Sequence, residues 1–175
     1  MLDFRLPTEE DRAALEEYVA EHRAAGETGR LTAAAKLESM PFGSWLSKVY
    51  GHTSQDSPKS SFIMLCLDTD RPEPDGRPRL VGIVNIRPWL TEEDAEVYGH
   101  VGYGVRPTER RKGYGTQMMR YAIWFCRQKG LKRVVAGCYK ENAASAGVLR
   151  KCGGVLYKEG DFYTPGVISQ YYEWT

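Results

Sequence analysis

A chain of 175 residues with 42% hydrophobic and 27% charged side chains is long enough to bury a core and ordinary enough in composition to be globular. Its formal net charge of +1 supplies no overall field toward nucleic acid or an anionic membrane, which points to a small or local binding surface. No run approaches the roughly 20 apolar residues of a spanning helix, and the first residues lack the basic and apolar regions of a signal peptide, so the cytoplasm is the expected compartment.

In chain order, Leu2 to Leu6 alternates as a short strand. Thr8 then reads as the cap of a helix with Glu9, Glu10 and Asp11 in its first turn, Leu15, Tyr18 and Val19 on its apolar face, and Gly26 near its end. A second helical region is expected over Leu31 to Tyr50, broken near Pro41, followed by a polar loop from Gly51 to Ser60. Phe62 to Leu67 is a continuous apolar run and reads as a buried strand. Asp70 to Pro78 is dense in turn formers and should join it to a strand over Leu80 to Ile86. After acidic Thr91 to Asp94, a strand is expected from about Glu96 to Val105. Gly115 to Lys129 carries the apolar stripe Met118, Met119, Ala122, Ile123 and Cys126 of a helix that Gly130 ends. A strand over Arg133 to Tyr139, a helix over Asn142 to Lys151 closed by Gly153 and Gly154, and strands over Val155 to Lys158 and Val167 to Trp174 complete the chain. No repeat or linker divides it, so residues 1–175 read as one α+β (α/β) unit with helices on the faces of a sheet. The four cysteines, Cys66, Cys126, Cys138 and Cys152, show no short C-x-x-C spacing and read as reduced, mostly buried thiols; no metal site is expected.

The most informative segment is Val101-Gly-Tyr-Gly-Val-Arg-Pro-Thr-Glu-Arg-Arg-Lys-Gly-Tyr-Gly-Thr116. A strand ends, a basic glycine-containing turn follows, and an amphipathic helix begins. The first N–H groups of such a helix have no partners within it, and the helix dipole adds partial positive charge. Arg110, Arg111 and Lys112 add full charges, while Gly113 and Gly115 allow close approach to the backbone. Together these suit a diphosphate. A Walker loop is excluded because Gly-Lys-Ser/Thr is absent, and the dinucleotide fingerprint fails for want of its third glycine. An exposed basic turn, or a nucleic-acid contact through Arg110 to Lys112, are the other readings of the loop alone.

Val105-x-Pro107-x-x-Arg110-x-x-Gly113-x-Gly115 is similar to the Gln/Arg-x-x-Gly-x-Gly/Ala motif of the GNAT superfamily of N-acetyltransferases. A second hallmark of the family follows at suitable spacing, Asn142-Ala-Ala-Ser145 opening a helix that ends Lys151-Cys-Gly-Gly154. Gly99-His-Val-Gly-Tyr-Gly-Val-Arg-Pro with Arg-Arg-Lys-Gly-Tyr-Gly looks like the generically described bacterial acetyltransferases of that superfamily. The resemblance implies a mixed, mostly antiparallel sheet splayed between its fourth and fifth strands, with acetyl-CoA as acyl donor and no metal. It implies that the pantetheine arm lies near Tyr103, Gly104 and Val105, that the diphosphate rests on Arg110, Arg111, Lys112, Gly113, Tyr114, Gly115 and Thr116, and that Asn142 and Ser145 sit by the thioester.

Acetyl transfer to an amine needs a deprotonated amine, hydrogen-bond donors for the thioester oxygen, and an acid for the departing thiolate. The slot where many relatives carry an acidic tyrosine is Leu149 here, and the strand slots where they often carry a base are Gly99 and Val101. His100 lies between those slots, and strand alternation would aim it at the opposite face. His100, Tyr139 and Glu96, the last through a water, are the candidate catalytic residues. Tyr98 and Tyr103 are further candidate donors, and His22 and His52 have no clear partner. The family builds its acceptor site from the segments matching Leu31 to Tyr50 and Asp161 to Tyr172, which supply Trp45, Tyr50, Phe162, Tyr163, Tyr171 and Tyr172 either to a pocket floor or to the core. The expected partner is thus an amine of a small molecule or protein, with no nucleic acid or membrane and with a homodimer left open. A non-catalytic acyl-CoA-sensing or partner-binding module is the alternative.

Overall fold

The computed structural model describes residues 1–27, 34–57 and 60–175. The expected helical residues 31–33 and loop residues 58–59 therefore lie outside the described ones. Strand β1, Leu2–Arg5, is followed by a 3-10 turn over Glu9–Asp11 and helix α1, Arg12–Ala24. Asp11 Oδ2 accepts the Thr8 N–H at 2.7 Å and also pairs with Arg5 at 2.6 Å, fixing the entry to the helix. A 3-10 turn over Ala35–Glu38 precedes α2, Phe42–Gly51, for which Pro41 is the N-cap. Then come β2 (Phe62–Pro72), β3 (Pro78–Ile86), α3 (Glu92–Tyr98), β4 (Val101–Val105), α4 (Tyr114–Gln128), β5 (Val134–Tyr139), α5 (Ala143–Lys151), β6 (Val155–Thr164) and β7 (Val167–Trp174).

The strands form two antiparallel sheets, β1-β2-β3-β4 and β5-β7-β6. Alternation divides β2 cleanly. Ile63, Leu65 and Leu67 join Leu15, Tyr18, Phe42, Trp45 and Val49 in a core under α1 and α2. Met64 points the other way, into a core with Val84, Ile86, Met119, Ala122, Cys126, Leu149 and Trp174 under α4 and α5. Helices thus cover both faces. No helix among the described residues is long and apolar enough to cross a membrane.

One expected element is different. The strand foreseen from Glu96 begins only at Val101, and residues 92–98 are helical. Thr91 Oγ1 accepts the Asp94 N–H at 3.1 Å, three carboxylates fill the first turn, and Gly99 ends the helix at φ +67, a conformation that favours glycine. A Cβ on Gly99 would also come within 3.1 Å of Ala136 Cα. Glu96 is accordingly a helix residue rather than a strand residue.

The two sheets meet where β4 enters. The His100 N–H donates to Val135 O at 2.7 Å, and the Val135 N–H donates back to His100 Nδ1 at 3.0 Å. β4 and β5 belong to different sheets, and beyond this clasp residues of both line two clefts rather than a shared ladder.

Candidate functional site

The larger cleft, about 1170 Å³, exceeds the roughly 300–1,000 Å³ of pockets for drug-sized ligands and suits a long one. Its walls include Tyr103, Gly104 and Val105 from β4, Arg110 to Thr116 without Lys112, and Asn142 to Val148 without Ala146 at the start of α5. Helix α4 starts at Tyr114, so its leading N–H groups have no carbonyl a turn before them. Arg111 at φ +64 and Gly113 at φ +86 shape the turn. A non-glycine residue adopts that region at a cost of roughly 1–2 kcal/mol, a strain that turns holding ligands often carry. A Cβ on Gly115 would lie 3.3 Å from Tyr103 Cε2, 3.5 Å from Val148 Cγ2 and 3.6 Å from Val105 Cγ2, so this position is bare because the cleft floor closes on it.

What holds the turn in place is a charge cluster that sequence reasoning missed. Glu109 is 1% exposed and accepts from Arg79 at 2.6 Å, Arg71 at 2.7 Å and Lys112 at 2.9 Å. Burial pushes its carboxyl up, but Lys112, Arg71 and Arg79 outweigh that and hold it at about 2. Arg71 also reaches the Tyr114 hydroxyl, which donates to Asp68 at 2.5 Å. The one acid inside an otherwise basic run, Glu109 beside Arg110-Arg-Lys, is the signal that could have shown this. It also sets where Lys112 lies. Lys112 turns to Glu109 and does not line the cleft. Arg110 does line it, gripped by Glu27 through two bonds of 2.7 and 2.6 Å. That grip, ahead of the contribution from His22, holds Glu27 at about 2.

The smaller cleft, about 500 Å³, lies along β3, β4, α3 and β5 and is lined by Asn85, Arg87, Tyr98, Gly102, Cys138, Tyr163 and Tyr171 among others. It shares four residues with the larger one: Tyr103, Tyr139, Asn142 and Ser145. Here the expected residues do converge. Asn142 Oδ1 accepts the Ser145 N–H at 3.0 Å as the cap of α5. Ser145 Oγ lies 3.0 Å from the Tyr103 hydroxyl, whose pKa burial raises to about 12. The Tyr139 hydroxyl lies 2.9 Å from Thr164 Oγ1. Leu149, in the family's tyrosine slot, is 1% exposed and packs in the core.

The structure does not bring His100 or Glu96 to this junction. His100 is 7% exposed, lines neither cleft, and spends Nδ1 on the Val135 N–H. Burial, then the charges of Arg87 and Arg133, lower its pKa to about 4, so near neutral pH it is an uncharged clasp between the sheets. Glu96, on α3, pairs with Arg133 at 2.7 Å and Lys158 at 3.1 Å, away from both clefts. Of the aromatic set, Trp45 and Tyr172 are core, Tyr163 and Tyr171 line the smaller cleft, and Tyr50 and Phe162 are exposed. All four cysteines are free, two of them buried.

Residues 2–155 match the family model for the acetyltransferase (GNAT) domain. Solved structures share the fold. Ribosomal-protein-S5-alanine acetyltransferase from Vibrio fischeri is 19% identical over 99% of this chain and 92% of its own, with a TM-score of 0.69. RimL, a ribosomal L7/L12 α-N-protein acetyltransferase solved with coenzyme A, is 17% identical over 99% and 93%, with a TM-score of 0.67. A Salmonella typhimurium acetyltransferase that modifies the N-terminal serine of L7/L12 is 16% identical over 99% and 94%, at 0.65. No curated protein matches the sequence.

Proposed function

Since the chain belongs to the GNAT acetyltransferase family, we propose that it transfers the acetyl group of acetyl-CoA to a primary amine within a ternary complex. The observation that carries this reading is the pair of clefts that meet at Tyr103, Tyr139, Asn142 and Ser145. One cleft ends on the start of α4 and fits a diphosphate and its arm, and the other opens toward a second reactant. Gly115, where a side chain would crowd the cleft floor, supports the fit. The N–H groups at 111–116 with Arg110 and Arg111 would hold the diphosphate, and the edge of β4 at Tyr103 to Val105 would hold the arm. Acetyl-CoA supplies an activated acyl carbon with a thiolate leaving group.

Among the described residues the smaller cleft presents no carboxylate or imidazole, so the amine enters already deprotonated. Its lone pair forms the C–N bond as the C–S bond breaks with its electrons on sulfur. The Tyr139 hydroxyl gives sulfur a proton and regains one from the amide nitrogen, standing in for the tyrosine the family places at Leu149. The four free cysteines suit the reducing cytoplasm.

Buried Leu149 is the observation that favours a non-catalytic acyl-CoA sensor instead. Thioester consumption against a panel of amines separates the two, with acetyl-CoA binding followed by calorimetry on the same protein. We expect micromolar binding and release of free thiol that climbs with pH toward the acceptor's own amine pKa, without a limb near 6.5. Binding without thiol release from any amine would leave the sensor, and absence of binding would remove both readings.

A further inference from the structure

Charges buried in proteins are paired, and an unpaired one beside a cavity marks a place for a ligand. Arg79 and Arg106 obey the rule, pairing with Glu109 and Glu21 at 2.6 and 2.5 Å. Arg87, only partly buried, has no such partner among the described residues. It lies one residue past β3 in the wall of the smaller cleft, and its guanidinium meets only backbone oxygens. Nε and Nη2 donate to Gly99 O at 3.1 and 2.9 Å, and Nη2 also donates to Tyr98 O at 2.9 Å. Among the described residues no carboxylate pairs with it, and burial weakens its hold on its proton. No acidic side chain among the described residues lines that cleft.

Two residues earlier, Asn85 contributes a second unmet group. Its Oδ1 is buried, has no hydrogen-bond partner, and belongs to a side chain lining the same cleft. An unsatisfied buried acceptor is destabilising until a donor reaches it. The cleft therefore offers one unpaired cation and one unpaired acceptor within a two-residue step of strand, surrounded by tyrosines 98, 139 and 163.

We propose that the acceptor is a primary amine bearing an oxyanion next to it, in the first place a free amino acid, with Arg87 receiving its carboxylate and the Asn85 amide turning its Oδ1 out to accept from the amine. This rests on the acetyl-transfer reading above and names the substrate class of that site. A carboxylate completes the pairing of Arg87, and the amine N–H completes Asn85 while its lone pair stays free for the acetyl carbon. A polyamine or a lysine side chain brings a second cation toward Arg87 with no acid to offset it. A peptide N-terminus brings an amide where the carboxylate belongs.

The test compares matched acceptors on the purified full chain with acetyl-CoA: amino acids, the same amino acids as amides, the corresponding amines without the carboxyl group, spermidine and a short peptide. Amino acids are expected to be turned over with kcat/KM about a hundredfold above their amides. Arg87→Ala is expected to erase most of that preference through KM, leaving acetyl-CoA affinity unchanged. Because Arg87 also braces two carbonyls, Arg87→Lys and Asn85→Asp are measured beside it. The lysine keeps the charge without the two-pronged geometry and should lose part of the preference. The aspartate sets a negative charge against the carboxylate and should shift turnover toward amines that lack one. Amides, polyamines or peptides used as well as amino acids, no amino acid used at all, or a preference indifferent to all three variants would overturn the assignment. Calorimetry with acetyl-CoA alone reads the parent proposal. If that binding is missing, acetyl transfer falls as well, and if it is present the failure belongs to the acceptor class only.

Discussion

The two clefts that meet at Tyr103, Tyr139, Asn142 and Ser145 are built from different materials. The larger draws most of its lining from two stretches, within residues 103–116 and 141–151, that carry four glycines between them. The smaller is gathered from β3, α3, β4, β5, α5, β6 and β7. A backbone site constrains its sequence by what must be missing, which writes glycines at fixed intervals. A side-chain site assembled from distant segments writes no such interval, because each contributor is separated from the next by a loop of arbitrary length. The comparison explains why the larger cleft can be read from spacing and the smaller one cannot.

The strongest way to break the comparison is Gly115→Val. The Cβ would already press Tyr103 at 3.3 Å, and the two methyl groups fill the floor between Tyr103, Val105 and Val148. Acetyl-CoA affinity should fall a hundredfold or more, about 3 kcal/mol by the usual conversion, while a melting curve shows whether the fold persists. Gly113→Ala is the milder partner, since open space surrounds that position and only its φ of +86 resists a side chain, for about 1 kcal/mol. Equal affinities for the folded Gly115→Val protein and the wild type would mean that the cleft is not a backbone site.

The sequence alone located α1, α4, β5 and α5 because each carries a cap, a stripe or a terminal glycine whose physical reason is local. It misread the end of α3, Glu96 to Tyr98, as strand for an equally local reason. That seven-residue helix buries only Ala95, so no stripe of period 3.6 exists to be seen. At the site, Tyr103, Gly115, Asn142 and Ser145 were legible from motif spacing. Arg87 and Asn85 were not, because a missing ion pair is a property of three-dimensional surroundings. His100 was the only histidine near the expected strand, and its burial and clasp with Val135 could not be inferred from its neighbours.

His100 belongs to the clasp between the two sheets rather than to either cleft, and its effect should be one of stability. Its folded pKa of about 4 lies below the ordinary 6.5. The neutral imidazole therefore adds stability that is complete above about pH 6.5 and is lost as pH falls toward 4, because the unfolded chain takes up the proton first. Over that window the loss amounts to about 3 kcal/mol, of which about 2 kcal/mol is gone by pH 5. His100→Asn retains an acceptor for the Val135 N–H without the titration. Urea unfolding at pH 7 and pH 5 should show the wild type's advantage over this variant shrink by about 2 kcal/mol. An advantage that does not change with pH would mean that the ring is already charged or solvated in the native state.

The smallest expected effect concerns the boundary between structure and binding within the larger cleft. Arg110 lines the larger cleft, where the diphosphate is proposed to sit, and is held by Glu27, which also meets His22 Nδ1 at 2.9 Å. The pair is partly exposed, so its contribution to stability is small and is screened by salt. With its pKa near 2, Glu27 stays charged at every pH where the protein would be assayed and opposes an incoming diphosphate. Glu27→Gln removes that charge, leaves His22 an oxygen to face, and releases Arg110 to the phosphates. Acetyl-CoA should then bind about three- to fivefold tighter at low salt, under 1 kcal/mol, with the gain fading as ionic strength rises. A weaker complex would instead assign Glu27 the task of aiming Arg110, because the guanidinium would be losing its orientation along with its partner. The sign of this small change therefore decides whether the acid competes with the ligand or prepares the cation for it.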